Sequence, residues 1–577
     1  MVRPLARTSR WYFGIGCLCF FATFFVLRSS QLMRTSMFLR HDSSLSQDVA
    51  ANHMPRDATD ADLGGAAVDR LVVDNDATST VPSTQDHRHG NSRVKDASQP
   101  TRVSVMTTEL ASTSPLSSLL NDTTMQAKSV AAMKWAWKGY QAHAYGFDAL
   151  NVQTMGTFSA MGHDMALTLV DSLDTLYLLG MMDEFNEAAD WAEANMMAKH
   201  QLQGYVSAFE TTIRALGGYL AAYQLSGRPG FLALADDLGT RLSRPFREVA
   251  FPRFQIDLVD GVAIGRSCLA EFTTIQLEFK YLARLTGKIE YADAVEAIMD
   301  RVAQNVKDSY PDGLLPISVN NDAGTFESDR ITLGACGDSY YEYLLKQWLL
   351  SGKRDTKYRD MYATAVDSIN RKLVGRSVKS NWTYLGELHP DGVLDSIMDH
   401  LVCFVPGMLA LGYINGMPSW HLDLAKELLH SCFQMYNQTA SKLAPERVVF
   451  NQDSVNGADI QVYLQDAFYI LRPETVESLM ILYRVTGDAT YRAWGKVIFE
   501  AIERHCKMDQ GGYSSVHHVD TATPTKGFRP EMESFFTAET LKYFYLLYSD
   551  ETVVPLDKFV FTTEAHPFSI EKPIDIV

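Results

Sequence analysis

Ile481–Gly487 reads ILYRVTG, and Ala489–Ile502 follows with ATYRAWGKVIFEAI. The first run ends an apolar segment on glycine, the residue that most readily takes the left-handed conformation closing a helix. The second sets apolar residues at helical spacing with charges between them. Together they read as a buried helix, a tight turn and an amphipathic helix folded back on it. The unit recurs: LYLLG ends at Gly180, AAYQLSG at Gly227, YLARLTG at Gly287, QWLLSG at Gly352, MLALG at Gly412, and the last copy, FYLLYSD, at Asp550. These seven stops lie 47 to 75 residues apart, a spacing that suits stacked helix pairs, and only the seventh is followed by extended sequence. Seven pairs can stack as an open solenoid or close into an α/α barrel. Segments such as TIQLEFKYLARL (274–285) and SLMILYRV (478–485) are apolar around most of their circumference, as a helix covered on both sides must be. The expected fold is therefore all-α, an (α/α)7 barrel of seven helix pairs, with the stretch after Asp550 a β-hairpin plugging it.

The chain has 577 residues, is 46% hydrophobic and 11% aromatic, and so can bury a sizeable core. A net charge of −17, with no long Lys/Arg run, argues against a nucleic-acid partner and favours a neutral or cationic ligand. Residues 1–10 are basic, and Trp11–Leu27 carries no charge before Arg28. As a helix, 11–27 would span roughly 26 Å, enough for a thin early-secretory bilayer. It reads as an uncleaved signal anchor, with a cleavable signal peptide the alternative. Arginines balance on either side, so charge leaves the orientation open. From His41 to Met133 there is no Phe, Tyr or Trp, and residues 28–130 read as a disordered stalk. The body is placed at 131–577. Sequons at Asn121, Asn381 and Asn437 give weak support for a lumenal body. Cys17 and Cys19 lie in the anchor. The remaining five, Cys268, Cys336, Cys403, Cys432 and Cys506, are an odd number and leave at least one unpaired within the chain. Nothing in the sequence fixes an oligomeric state.

Counted back from each stop, acids recur near the start of the preceding inner helix. They are Asp171 and Asp174, Glu210, Glu271, Asp338 and Glu342, Asp399 with His400, Glu474 and Glu477, and Glu533 and Glu539. In LRPETVESL (471–479), Pro473 suits the first helical position, which puts Glu474 in the first turn and Glu477 on the same face. A first-turn acid can simply offset the helix dipole. Acids in phase at all seven repeats would instead ring one mouth of a closed barrel. Such a ring, with Arg214, His400 and Arg472 interleaved, suits a hard cation or the paired acid and base of glycoside hydrolysis. Neutral sugars suit it, since hydroxyls donate to carboxylates, and Phe535 and Phe536 offer apolar cover.

FETTIRALGGYLAAYQLSG, DSYYEYLLKQWL, MDHLVCFVPGMLALG, LRPETVESL, MESFFTAETLKYFYLL and FTTEAHPF resemble, in order and spacing, glycoside hydrolase family 47, the class I α-1,2-mannosidases of N-glycan processing. The resemblance runs from about Met133 to Ile570. It implies an (α/α)7 barrel and calcium-dependent removal, with inversion, of terminal α-1,2-linked mannose from high-mannose N-glycans. Glu210 then matches the general acid, Glu474 the general base and Asp338 a third essential carboxylate. Inversion asks for about 6.5 to 9.5 Å between acid and base, leaving room for water. Thr563 matches the threonine that holds calcium. Arg214, His400, Leu401, Arg472, Glu477, Phe535, Glu539 and Glu564 match positions lining the sugar pocket. Cys403 and Cys432 match the family's disulfide, which implies a type II protein of the Golgi or endoplasmic reticulum membrane with its body in the lumen. Branch-selective members carry arginine where this chain has Cys336, so trimming of several branches is expected. The rival reading is a lectin-like member that recognises high-mannose glycans with little hydrolysis.

Overall fold

The computed structural model describes residues 122–571, apart from 161–163 and 248. The stretch read as a signal anchor, most of that read as a stalk, and Asn121 lie outside the described residues. Among those described, no helix is long and apolar enough to cross a membrane.

The first helix, α1 (Thr123–His143), begins inside the stretch read as stalk. Asp122 caps it by accepting from the Thr124 and Met125 backbone, and Met125 is buried. The body therefore starts some nine residues earlier than composition placed it. After a short helix at Leu167–Asp171, the chain lays down pairs: α2 (Leu173–Leu178) with α3 (Met182–Lys199), and α4 (Gly217–Ser226) with α5 (Pro229–Ser243). Next come α6 (Gln276–Thr286) with α7 (Ile289–Ser309), and α8 (Asp338–Leu350) with α9 (Thr356–Lys372). They are followed by α10 (Val405–Ile414) with α11 (Trp420–Asn437), α12 (Glu474–Thr486) with α13 (Ala489–His505), and finally α14 (Leu541–Tyr548). Left-handed glycines close α4, α6 and α12, with φ of 69°, 74° and 70° at Gly227, Gly287 and Gly487. Gly412 does not act this way, because α10 continues past it to Ile414.

The even-numbered helices form an inner layer in which α2 packs on α4, α4 on α6, α6 on α8, α8 on α10, α10 on α12, α12 on α14, and α14 on α2. Each odd-numbered helix from α3 to α13 backs the inner helix before it, and α1 backs α14. The seventh inner helix thus takes its outer partner from the opposite end of the chain. α8 shows the consequence of double coverage: every residue from Ser339 to Leu350 is buried. Small two- and three-stranded antiparallel sheets, eight among the described residues, join the pairs, so the fold is mostly helical rather than purely so. The C-terminal hairpin, Phe559–Phe561 against Pro567–Ser569, packs on α8 and α4, and Phe568 stacks on Tyr281 at 4.2 Å.

α1 is pressed against the loop after α13. A Cβ added at Gly139 would lie 2.6 Å from the Gly511 and Gly512 backbone, where no side chain can give way. Gly139→Ala is therefore expected to cost about 1–3 kcal/mol, read as a lowered thermal midpoint.

Cys403 and Cys432 are disulfide-bonded, with Cα atoms 5.8 Å apart, and join the start of α10 to α11. A second disulfide, Cys268–Cys336, joins two residues the sequence left unassigned. Cys506 is free and buried, and burial pushes its thiol pKa up, so it behaves as a core residue. Of the described sequons, Asn381 is exposed, while Asn437 is half-buried with its amide donating to Gln434.

Candidate active site

Most of the candidate carboxylates gather where the inner helices begin. Glu210 ends a turn of α-helix and is followed by a π-helix, Thr211–Leu216, that runs into α4. Such wide turns are rare and concentrate at functional sites. Here the π segment carries Arg214, whose Nε donates to Glu210 Oε2 at 2.8 Å. The same guanidinium donates to Ser534 Oγ at 3.0 Å, pairs with Glu564 and lies 3.5 Å from Asp171. It also sits over the Phe535 ring, 5.7 Å from the centroid. A second π segment, Phe536–Thr540, leads into α14 and carries Glu539.

Asp338 is the first residue of α8. Its Oδ1 accepts from the Ser339 N–H at 2.7 Å and the Ser339 hydroxyl at 3.2 Å. Burial, reinforced by Glu342 and Glu474, raises its pKa to about 7 in spite of those bonds.

Glu474 opens α12, with Pro473 standing one position outside the helix as its cap. Its Oε2 lies 2.8 Å from His400 Nδ1 and its Oε1 lies 3.6 Å from Arg472. His400 is itself buried, with Nε2 2.7 Å from the Tyr436 hydroxyl, so it supports Glu474 from behind. Arg472 is gripped by both oxygens of Glu446, and burial, which would raise the Glu446 pKa, is outweighed by that guanidinium. Leu401 is half-buried on the short helical segment His400–Phe404.

The tip of the C-terminal hairpin is held from three sides. Tyr343 of α8 accepts from the Thr563 N–H at 3.3 Å and donates to Glu278 Oε1 at 2.7 Å. Lys542 of α14 bridges the Ala565 carbonyl, at 2.8 Å, and Asp174, at 2.7 Å. His566 lies 3.3 Å from both Asp171 and Asp174. Burial opposes its charge, yet the two aspartates win and raise its pKa. Asp171 and Asp174 thus anchor the hairpin. Around Thr563 and its neighbours stand Glu278, Glu342, Glu477, Glu539 and Glu564, three of them paired with Lys346 or Arg214, and His566 also acts on Glu278. Burial first, and the neighbouring acids second, push Glu539 up, and burial alone dominates the rise of Glu278 to about 8. Glu278 Oε2 is buried with no hydrogen-bond partner among the described residues.

Not every acid counted into the ring belongs there. The Glu271 carboxylate accepts from the Cys268 N–H at 2.9 Å and caps the short helix Leu269–Thr273. Asp399 lies on a strand 3.6 Å from Arg447, whereas Glu533, although paired with Arg529 at 2.7 Å, still acts on Arg472 of the site. Phe536 is buried against Tyr513, 4.8 Å between centroids, and covers no open face. In the other direction, Glu278, Glu446 and Tyr436 escaped the sequence reading as site residues. Glu278 lies in the first turn of α6, seven residues after the acid that the phase of the ring selects, while Tyr436 comes from the outer helix α11 and Glu446 from the segment after it.

The family model for glycosyl hydrolase family 47 matches residues 132–570. The human endoplasmic reticulum mannosyl-oligosaccharide 1,2-alpha-mannosidase is 43% identical over 448 residues, covering 76% of this chain and 63% of its own length. A mannosyl-oligosaccharide 1,2-alpha-mannosidase of Arabidopsis thaliana is 38% identical, covering 76% of this chain and 78% of the relative. Among solved structures, the alpha-1,2-mannosidase from Trichoderma reesei superposes with a TM-score of 0.70 at 29% identity, over 78% of this chain and all of that one. The match spans every helix pair and the hairpin tip together with the carboxylates between them, and on that basis the chain belongs to glycosyl hydrolase family 47.

Proposed function

We propose that this protein hydrolyses terminal α-1,2-linked mannose from high-mannose N-glycans, with inversion and with calcium, in the early secretory pathway. The observation that carries the reading is the convergence of Glu210–Arg214, Asp338, Glu474–His400 and the hairpin tip at one end of the inner helices, inside the matched stretch. The seven inner helices are taken as a closed (α/α)7 barrel. Their packing order, which returns from α14 to α2, supports closure. The segment before the body is taken as a type II anchor and stalk, in keeping with two disulfides in the body and relatives named for the endoplasmic reticulum.

In this mechanism Glu474 is the general base. His400 and Arg472 fix its two oxygens, so one lone pair can take a proton from a water attacking the anomeric carbon. Glu210, held by Arg214, protonates the departing glycosidic oxygen. Asp338, whose carboxyl burial pushes up to about 7, is protonated in the mildly acidic range and holds that proton beside Glu342 and Glu474. Phe535, fixed beside Arg214, covers an apolar sugar face.

The residues present fit calcium. No three His, Cys, Asp or Glu side chains among the described residues cluster closely enough to cage a metal. The donors at the tip are instead the Thr563 hydroxyl and carbonyl, backed by a surplus of carboxylates and the orphaned Glu278 oxygen, which can hold waters. Oxygen-only donors with few direct protein ligands suit a hard cation that keeps positions free for a sugar. When bound, calcium supplies an electrostatic anchor for vicinal hydroxyls of the terminal mannose.

Cys336 stands two residues before Asp338, in place of a branch-selecting arginine, so several branches are accessible. Digestion of a nine-mannose N-glycan by the full-length chain is expected to release β-mannose and to pass beyond a single eight-mannose isomer. A clean stop at one isomer overturns the branch reading. Glycan binding without release favours a lectin-like role.

A further inference from the structure

Two of the three cysteines left unassigned by the sequence are bonded beside a catalytic carboxylate. Cys268 precedes the short helix Leu269–Thr273, and Cys336 precedes Asp338 by two residues. The backbones at this crossing are tied again where the Ala270 N–H donates to the Cys336 carbonyl at 2.9 Å. At the other end of the same short helix, the Thr274 hydroxyl donates to Ser339 Oγ at 2.9 Å, and Ser339 in turn holds Asp338 Oδ1. The turn is an unfavourable one. Cys336 has φ +74°, a left-handed conformation rare for a residue with a Cβ. Gly337 has no room for a side chain, since a Cβ would fall 2.1 Å from the Thr332 carbonyl. Within the turn, the Asp338 N–H reaches the Gly334 carbonyl at 3.1 Å. A left-handed residue persists only where its surroundings over-determine it.

We propose that the Cys268–Cys336 disulfide is a positioning device for Asp338, clamping the left-handed turn that delivers this carboxyl to the site. The proposal rests on the hydrolase reading above. Both half-cystines are partly accessible, whereas Cys403 and Cys432 are buried, so core filling does not account for the crosslink. It also gives Cys336 a use that an arginine reaching for a glycan branch could not serve. The clamp ties the turn to the neighbouring helix, and a shift of about 1 Å in a catalytic group can cost of the order of 10²-fold in rate.

The test compares the full-length chain with Cys268→Ala/Cys336→Gly, in which glycine keeps the left-handed turn accessible while the covalent tie is gone. Mannose release from a nine-mannose glycan is expected to fall about 10-fold or more in kcat with KM within about 2-fold, and the alkaline limb of the pH profile should move. Hydrogen exchange is expected to quicken about 10-fold or more at the Ala270 and Asp338 amides, with peptides around Cys403–Cys432 unchanged. Unchanged kcat, pH limb and exchange overturn the proposal. Faster exchange spread across the whole body, with a lowered thermal midpoint, also overturns it, since the bond would then be a general staple. If the unmodified chain releases no mannose, the hydrolase reading fails, and local exchange at Ala270 and Asp338 alone decides whether the clamp exists.

Discussion

Glu474→Gln is expected to lower kcat for mannose release by about 10²–10⁴-fold while leaving glycan binding largely intact, because the amide keeps the shape of the base and loses its proton affinity. The fold should tolerate the change. The substituted side chain can still meet His400 Nδ1 and stays near Arg472, which remains bound to Glu446. Asp338 gives the complementary pH dependence. With its pKa raised to about 7, it is protonated through the mildly acidic range, so kcat/KM should fall as pH rises through about 7. Asp338→Asn should remove that limb along with most of the activity. The stability sign is independent of catalysis. A carboxyl whose folded pKa lies above its unfolded value contributes stability below the unfolded pKa and loses it as pH rises through the folded one. The thermal midpoint of Asp338→Asn should therefore gain on the parent chain between about pH 4 and pH 7. A wild-type rate that is flat across pH 7 would remove Asp338 as the titrating group behind that limb.

Chelation of calcium is expected to abolish turnover and to lower the thermal midpoint, with both restored by calcium. A ligand at about 100 times its Kd adds about 2.7 kcal/mol to the folded state, which amounts to a few degrees for a body of this size. The physical basis is the crowding of carboxyl groups at the hairpin tip, where burial and neighbouring acids, Glu342 among them, raise the pKa values of Glu278, Glu477, Glu539 and Glu564, and a bound cation would favour their ionised forms. Thr563→Val removes the side-chain donor while preserving the β-branched shape. It should abolish the calcium-dependent shift in midpoint. If the shift survives in Thr563→Val, the metal binds elsewhere.

The repeat of apolar run, stop and amphipathic helix was enough to count seven inner helices, because a helix covered on both faces must be apolar around its circumference and one covered on a single face must not. Glu474 and Glu477 were legible for a similar reason. Their spacing in a first turn fixes a common face whatever surrounds them, and the motifs around them carry the family resemblance. Three features were decided only in three dimensions. The outer partner of α14 is α1, from the far end of the chain, and periodicity in sequence cannot pair segments some 400 residues apart. Glu271 and Glu278 sit seven residues apart on neighbouring helical segments, and a count from the turn chose the first, whereas the backbone break between them makes Glu271 a cap and leaves Glu278 at the hairpin. The Cys268–Cys336 bond, likewise, depends on two loops meeting across 68 residues. Local chemistry, read along one chain, sets which residues can face a sugar. Which of them do so is decided by contacts between segments whose separation carries no signal of its own.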